Sequence, residues 1–256
     1  WSVVTPAGGV VATGRETSTV DFVPGHVAEV GIARFEAPEV ASPTRIDLNV
    51  VVSIGGAAVS ENEWPLWVFP RRELAGAPSV RLVDPEGLWQ GVELIVNVVD
   101  SSVDRSPHLC SEWTPETEAF VHAGGAALVL VRGRPDDLVP SLVKPFWREG
   151  VKVIEPHPAW GDFPHDGWTD LQFFGLTTDR VLTVDGERGH EPLLRRVDAR
   201  DMSVNDYAVV MRIGKGRLLA TTLRFAGGMG EQAMGLGRNI CAQELLLNWI
   251  AWLAAE

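Results

Sequence analysis

Hydrophobic and polar positions alternate most clearly between residues 45 and 54. Ile46, Leu48, Val50, Val52 and Ile54 alternate with polar residues, and only Val51 breaks the pattern. A period of two places one side of a strand on a core and the other in water, so this stretch predicts a strand. Residues 26–35, which follow a Pro-Gly turn signal, predict a second strand. Short strands at this spacing, separated by Pro and Gly, predict an antiparallel sandwich of immunoglobulin type in residues 1–75.

The pattern changes after residues 70–78, which have neither helical nor strand periodicity and predict a connection between two domains. Residues 79–83 and 92–99 are nearly continuous apolar runs. Such runs are typical of strands that helices bury on both faces. Residues 76–256 are therefore predicted to form an α/β domain.

Helix signals support this prediction. Thr114-Pro115-Glu116 supplies an N-cap, a proline at the first helical position and an acid near the positive end of the helix dipole. A Gly-Gly pair at 124–125 ends the helix, and the apolar run 126–131 predicts another buried strand. Helix, glycine turn and buried strand in this order predict an open, mostly parallel sheet.

The end of the chain predicts a hairpin and a covering helix. Residues 207–213 and 217–225 flank Gly214-Lys215-Gly216, which is typical of a hairpin added to the sheet. A helix is predicted from about residue 238 to 253. Its predicted apolar stripe consists of Cys241, Ala242, Leu245, Leu246, Trp249, Ile250 and Leu253, and Gln243, Glu244 and Asn248 lie opposite.

The net charge of the chain limits the classes of partner that it can bind. Among 256 residues, 22 Lys and Arg against 34 Asp and Glu give a net charge of −12. A chain this acidic is repelled by phosphate backbones and anionic membrane surfaces, and no apolar run reaches the roughly 20 residues of a membrane helix. We therefore expect neither a nucleic-acid nor a membrane partner. Two cysteines are too few for a disulfide framework and leave the cellular compartment undecided.

One loop, residues 157–170, is the densest mixture of aromatic and ionisable residues. Its candidate ligand-binding residues are His157, Trp160, Asp162, His165, Trp168 and Asp170. Tryptophan rings stack on sugar rings while Asp and His bind hydroxyls, so the loop can form a carbohydrate site. The alternative, which we favour, is that both tryptophans pack near the first domain or an upstream one while the polar residues cap the loop backbone. A metal site at His157, Asp162 and His165 would have no recognised ligand spacing, and no metal is predicted.

Two further motifs lack the context that their chemistry needs. Residues 228–233 match G-x-G-x-x-A, but no second strand with a ribose-binding acid follows, so no cofactor is predicted. No G-x-S-x-G elbow occurs, and Cys110 and Cys241 lack flanking glycines. Both cysteines are predicted to be inert small hydrophobic residues, and no catalytic residue is predicted.

A family resemblance rests on several short runs. The run Asn-Glu-Trp-Pro-Leu-Trp-Val-Phe-Pro at 62–70 resembles the end of a β-sandwich domain in bacterial glycoside hydrolases of family 2, and residues 1–4 and 8–14 look like an early strand pair of that sandwich. The second half is similar to the flavodoxin-like, amidotransferase-like domain that ends some of those proteins. The runs that carry this similarity lie at 157–158, 163–165, 170–174 and 214–219.

The resemblance implies a function without catalysis. In that family both catalytic glutamates lie on an upstream (β/α)8 barrel, which needs about 250 residues of its own. The chain is therefore expected to be a non-catalytic C-terminal accessory region that supports or flanks the barrel, which would be its partner. Carbohydrate binding by the 157–170 loop is the second reading, and an independent α/β hydrolase or amidotransferase-like enzyme is the third. Because the resemblance begins inside the sandwich domain, we also expect the sandwich to be incomplete.

Overall fold

The chain divides into two compact units, Trp1–Arg71 and Arg72–Glu256. The structure is a computed structural model, and it describes residues 1–20, 23–71, 74–100, 105–145, 150–184, 189–226 and 235–255. It combines an all-β unit with an α/β unit, and sheet dominates over helix in both. The predicted fold class, α/β plus all-β, agrees with this architecture at that level.

The first unit contains one antiparallel sheet of four strands in the order β2-β1-β3-β4. The strands are β1 (Ser2–Val4), β2 (Val10–Thr13), β3 (Thr44–Ile54) and β4 (Ala57–Val68). Val3 and Ile46 are its most deeply buried side chains. Gly55 and Gly56, both with positive φ, join β3 to β4 in a tight turn of the kind that a Gly-Gly pair favours. The tip of this hairpin is exposed.

Two strand predictions for the first unit have different outcomes. The strand at 45–54 is confirmed as β3. The strand at 26–35 is wrong, because these residues have no regular secondary structure and Val27, Val30 and Ile32 remain exposed. A sandwich needs a second sheet, which the described part of this unit does not contain, so the immunoglobulin-type sandwich stays a prediction.

The second unit is built on a large mixed sheet. Its strands are β5 (Ser79–Val83), β6 (Asn97–Val98), β7 (His108–Cys110), β8 (Ala126–Leu130), β9 (Ser141–Val143), β10 (Val151–Ile154), β11 (Arg180–Leu182), β12 (His190–Asp198), β13 (Ser203–Ile213) and β14 (Gly216–Thr221). Five strands are parallel, in the order β6-β5-β7-β8-β14. Beyond β14 the sheet continues as antiparallel β13, β12 and β10, while β11 joins β13 to β9. The sheet therefore has a parallel half and an antiparallel half.

In the described residues, two α-helices accompany the sheet, α1 (Pro115–His122) and α2 (Ile240–Ala254). Thr114 caps α1 as predicted, because its Oγ1 accepts a hydrogen bond from the backbone N–H of Thr117 at 3.2 Å. Asn239 caps α2 in the same way, at 3.1 Å from the N–H of Ala242. No helix in the described part of the chain is long and apolar enough to cross a membrane.

Glu244 was predicted to lie on the side of α2 opposite its apolar stripe. This prediction is wrong, because Glu244 is buried. Helix α2 contacts strand β8, and it also contacts two short 3₁₀ helices, Pro158–Trp160 and Leu171–Phe173. Because α2 is covered from more than one direction, a single-stripe reading of its sequence underestimates how much of it is buried.

Three of the five remaining predictions for this unit are confirmed. The strands at 79–83 and 126–131 correspond to β5 and β8, and β13 and β14 form the hairpin around residues 214–216. The buried strand at 92–99 is wrong. That run forms a 3₁₀ helix, Val92–Leu94, followed by the two-residue β6, and Leu94 and Val98 are exposed. The mostly parallel sheet is also wrong, because four of the strand pairs in the described residues are parallel and five are antiparallel.

Candidate functional site

The carboxyl edge of the parallel strands is where open α/β sheets commonly bind ligands, at the point where the strand order reverses. Here that point lies between β5 and β7. Asp84 follows β5, and its two oxygens accept the backbone N–H groups of Leu88 and Trp89, both at 2.9 Å. The carboxylate therefore closes a turn. Ser111 follows β7, is buried, and its hydroxyl has no hydrogen-bond partner among the described residues.

This edge offers no activated nucleophile in the described residues. A nucleophile elbow holds its residue in a strained turn, yet the one described non-glycine residue with positive φ is Met202, in the turn before β13. Cys110 is buried within β7, and burial raises the pKa of its thiol to about 12. Burial likewise raises the pKa of Cys241 to about 12. Because neither thiol ionises near neutral pH, neither is poised for nucleophilic attack.

The first predicted site residue, Trp160, belongs to the core of the second unit. Its side chain is 2% exposed, and its Nε1 donates to the carbonyl of Glu155 at 2.9 Å. Its ring meets Trp249 of α2 edge to face, with centroids 6.1 Å apart, and Phe173 at 6.3 Å. Trp160 therefore packs as predicted, although its partners lie within the second unit.

Three further predicted residues close local turns. His157 Nδ1, His165 Nδ1 and Asp170 Oδ1 each accept the backbone N–H two residues further along, at 3.0, 3.2 and 2.9 Å. Burial lowers the pKa of both histidines, which favours the neutral ring that can accept a hydrogen bond. The polar side chains of the loop thus serve its backbone, which matches the packing alternative.

Asp162 and Trp168 behave differently. Asp162 is exposed, and its backbone N–H donates to Asn248 Oδ1 at 3.3 Å. Trp168 was expected to be packed, but it is 57% exposed. Its backbone forms a bridge with Val153 of β10, so Trp168 extends the sheet at its edge instead of turning into the core.

The sequence raised two further alternatives, a metal site in the 157–170 loop and a cofactor loop at 228–233. Among the residues that the structure describes, no group of three or more His, Cys, Asp or Glu is arranged to hold a metal ion, so His157, Asp162 and His165 are not brought together as one. The G-x-G-x-x-A run at 228–233 lies outside the described residues.

Strand register aligns Trp168 with residues that sequence reasoning missed. Val153 pairs with Trp168 on one side and with Arg195 of β12 on the other, and Arg195 pairs with Asp206 of β13. Directly paired residues on antiparallel strands lie on the same face of a sheet. Trp168, Val153, Arg195 and Asp206 therefore form one row across that face.

A second row of residues is offset from the first by two positions on β10, β12 and β13, so it lies on the same face. Val151 pairs with Val197, which pairs with Val204, and the three valines are 38–55% exposed. We name the surface made by the two rows the open face. It consists of Val151, Val153, Trp168, Arg195, Val197, Val204 and Asp206.

Charged side chains meet at one end of the open face. Arg195 Nε lies 3.3 Å from Glu155 Oε1 and 3.5 Å from Asp206 Oδ1, and Asp206 Oδ2 lies 3.5 Å from His190 Nε2. Asp206 is 8% exposed, and burial raises the pKa of its carboxyl even though Arg195 and His190 act against the shift. The cluster thus holds a carboxylate that its surroundings solvate poorly.

Three buried atoms of this cluster, Arg195 Nε, Asp206 Oδ1 and His190 Nδ1, make no hydrogen bond of good geometry within the described residues. Arg195 Nε and Asp206 Oδ1 are nevertheless ion-paired, Arg195 with Glu155 and with Asp206. The charges of the cluster are thus balanced by one another. The sequence offered one signal, an acid at 206 directly before the apolar run 207–211.

One family match covers the first unit. Residues 1–70 match the family described as a domain of unknown function, DUF8488. No curated protein matches the chain.

Similar solved structures include glycoside hydrolases. The β-galactosidase of Rahnella sp. R3 is 13% identical with a TM-score of 0.40, and the match covers 69% of this chain and 31% of that one. The β-galactosidase of Bacillus circulans sp. alkalophilus is 10% identical with a TM-score of 0.41, and the match covers 70% of this chain and 31% of that one. A ThuA-like protein of Parabacteroides merdae is 13% identical with a TM-score of 0.38, covering 70% of this chain and 90% of that one. The chain thus spans about a third of each β-galactosidase.

Proposed function

We propose that this chain is a non-catalytic accessory region of a family 2 glycoside hydrolase, C-terminal to a catalytic barrel that it supports or flanks. The sequence resemblance of the run at 62–70 supports the family. The parallel strands support the flavodoxin-like domain type. Numbered by their sequence in the chain, these five strands lie in the sheet in the order 2-1-3-4-5, which is the flavodoxin-like order. We assign the four strands of the first unit to one layer of an immunoglobulin-like sandwich.

The observation that carries the non-catalytic role is the chemistry of the carboxyl edge. Asp84 is engaged in a turn, and the Cys110 thiol is buried with a raised pKa. An acyl-transfer or amidotransferase mechanism needs an exposed nucleophile next to a base. The described residues at this edge do not supply that pair.

Enzyme assays on the isolated chain test this role. We expect no hydrolysis of aryl-glycosides and no release of ammonia from glutamine. Turnover that persists through repurification and disappears in Cys110→Ala or Asp84→Asn would contradict the proposal. As a positive test, the chain is expressed with its upstream coding sequence and compared with a version that ends before residue 1. We expect equal kcat and a lower melting temperature in the shorter protein.

Carbohydrate binding is a second candidate function, favoured by one observation. Trp168 presents a largely exposed indole on the open face, and the face of an indole can stack on a sugar ring. His157, His165 and Asp170 are engaged with the loop backbone, so the loop as first predicted contributes little beyond Trp168.

A further inference from the structure

We draw no further inference here: the strongest candidate, the exposed apolar surface that Trp168 and three valines form on the open face of the antiparallel half of the sheet, carries none, because nothing in the described part of the structure shows what covers it.

Discussion

Two strands of the large sheet, the central strand β8 and the edge strand β10, differ in how much of them is buried. All five residues of β8 are buried, whereas only Ile154 of the four residues in β10 is buried. A strand covered on both sides has no side chain left for a ligand, while a strand with one open side keeps every second residue available. The exposed residues of β10 are therefore available for binding.

Buried polar groups in the two halves have different partners. In the parallel half, the His108 ring stacks on Phe120 with centroids 3.9 Å apart, and its Nδ1 lies 3.4 Å from Thr117 Oγ1. In the antiparallel half, Arg195 and Asp206 form an ion pair, with Nε and Oδ1 3.5 Å apart. The polar contact is thus between a ring and a hydroxyl in one half and between two charged groups in the other.

The largest expected contrast is between two tryptophans of one segment. Trp160→Ala should lower the free energy of unfolding by about 3–5 kcal/mol, because it empties a buried site against Trp249. Trp168→Ala should cost less than about 1 kcal/mol, because most of its ring is already in water. Urea denaturation of both variants measures the difference. Equal losses would mean that the open face is covered in solution.

A second contrast concerns pH. Burial, assisted by Arg81, lowers the pKa of His108 to about 4 from 6.5 in an unfolded chain. The folded state therefore disfavours the protonated ring, so stability is full above pH 6.5 and is lost as the pH falls towards 4. The loss should reach about 3 kcal/mol below pH 4. Unfolding free energies measured from pH 7 to 4 test this, and His108→Asn should flatten that part of the profile. A profile that His108→Asn leaves unchanged would contradict the assignment.

Paired valine substitutions sharpen the comparison of faces. Val129→Thr on β8 places a hydroxyl in an apolar interior and should cost about 1–3 kcal/mol. Val197→Thr on β12 places it on the open face and should change stability by less than about 0.5 kcal/mol. Thermal melts of the two variants give the ranking. A reversed ranking would show that the open face is the better covered one.

The smallest expected effect is at Asp206. Because burial raises the pKa of this carboxyl in the folded state, its ionised form costs stability at neutral pH. Asp206→Asn removes that charge, so its melting temperature at pH 7 should equal or exceed that of the wild type. The difference should disappear in acid, where the wild-type carboxyl is protonated. A marked loss of stability at pH 7 would mean that Arg195 and His190 stabilise the carboxylate more than burial destabilises it.

Local signals in the sequence predicted the elements that depend on local chemistry. The Thr-Pro-Glu start of α1, the glycine turn between β13 and β14, and the apolar run of β8 were all readable, because capping, turn geometry and continuous burial leave marks on neighbouring residues. The run 92–99 was equally apolar but forms a 3₁₀ helix and a two-residue strand. Apolar composition alone does not separate a buried strand from a short helical turn.

The candidate site depends on register, which the sequence does not reveal. Arg195 and Asp206 are directly opposite each other in the same register that pairs His190 with Met211, because the irregularities on either side of Leu194 cancel. Nothing in the sequence of β12 or β13 shows which residue of one strand faces a given residue of the other. Trp168 was misjudged for a related reason, since its exposure follows from a bridge to the edge strand β10.

The Gly55–Gly56 turn has a practical consequence for handling the protein. A Cβ added at either glycine would meet no atom within 4 Å, and the surrounding hairpin tip is exposed. Exposed loop tips of this kind tolerate insertions well. A short epitope or a fluorophore-binding peptide placed between these glycines would give a handle for immobilising or imaging the protein, attached to the first unit and leaving the residues of the open face unmodified.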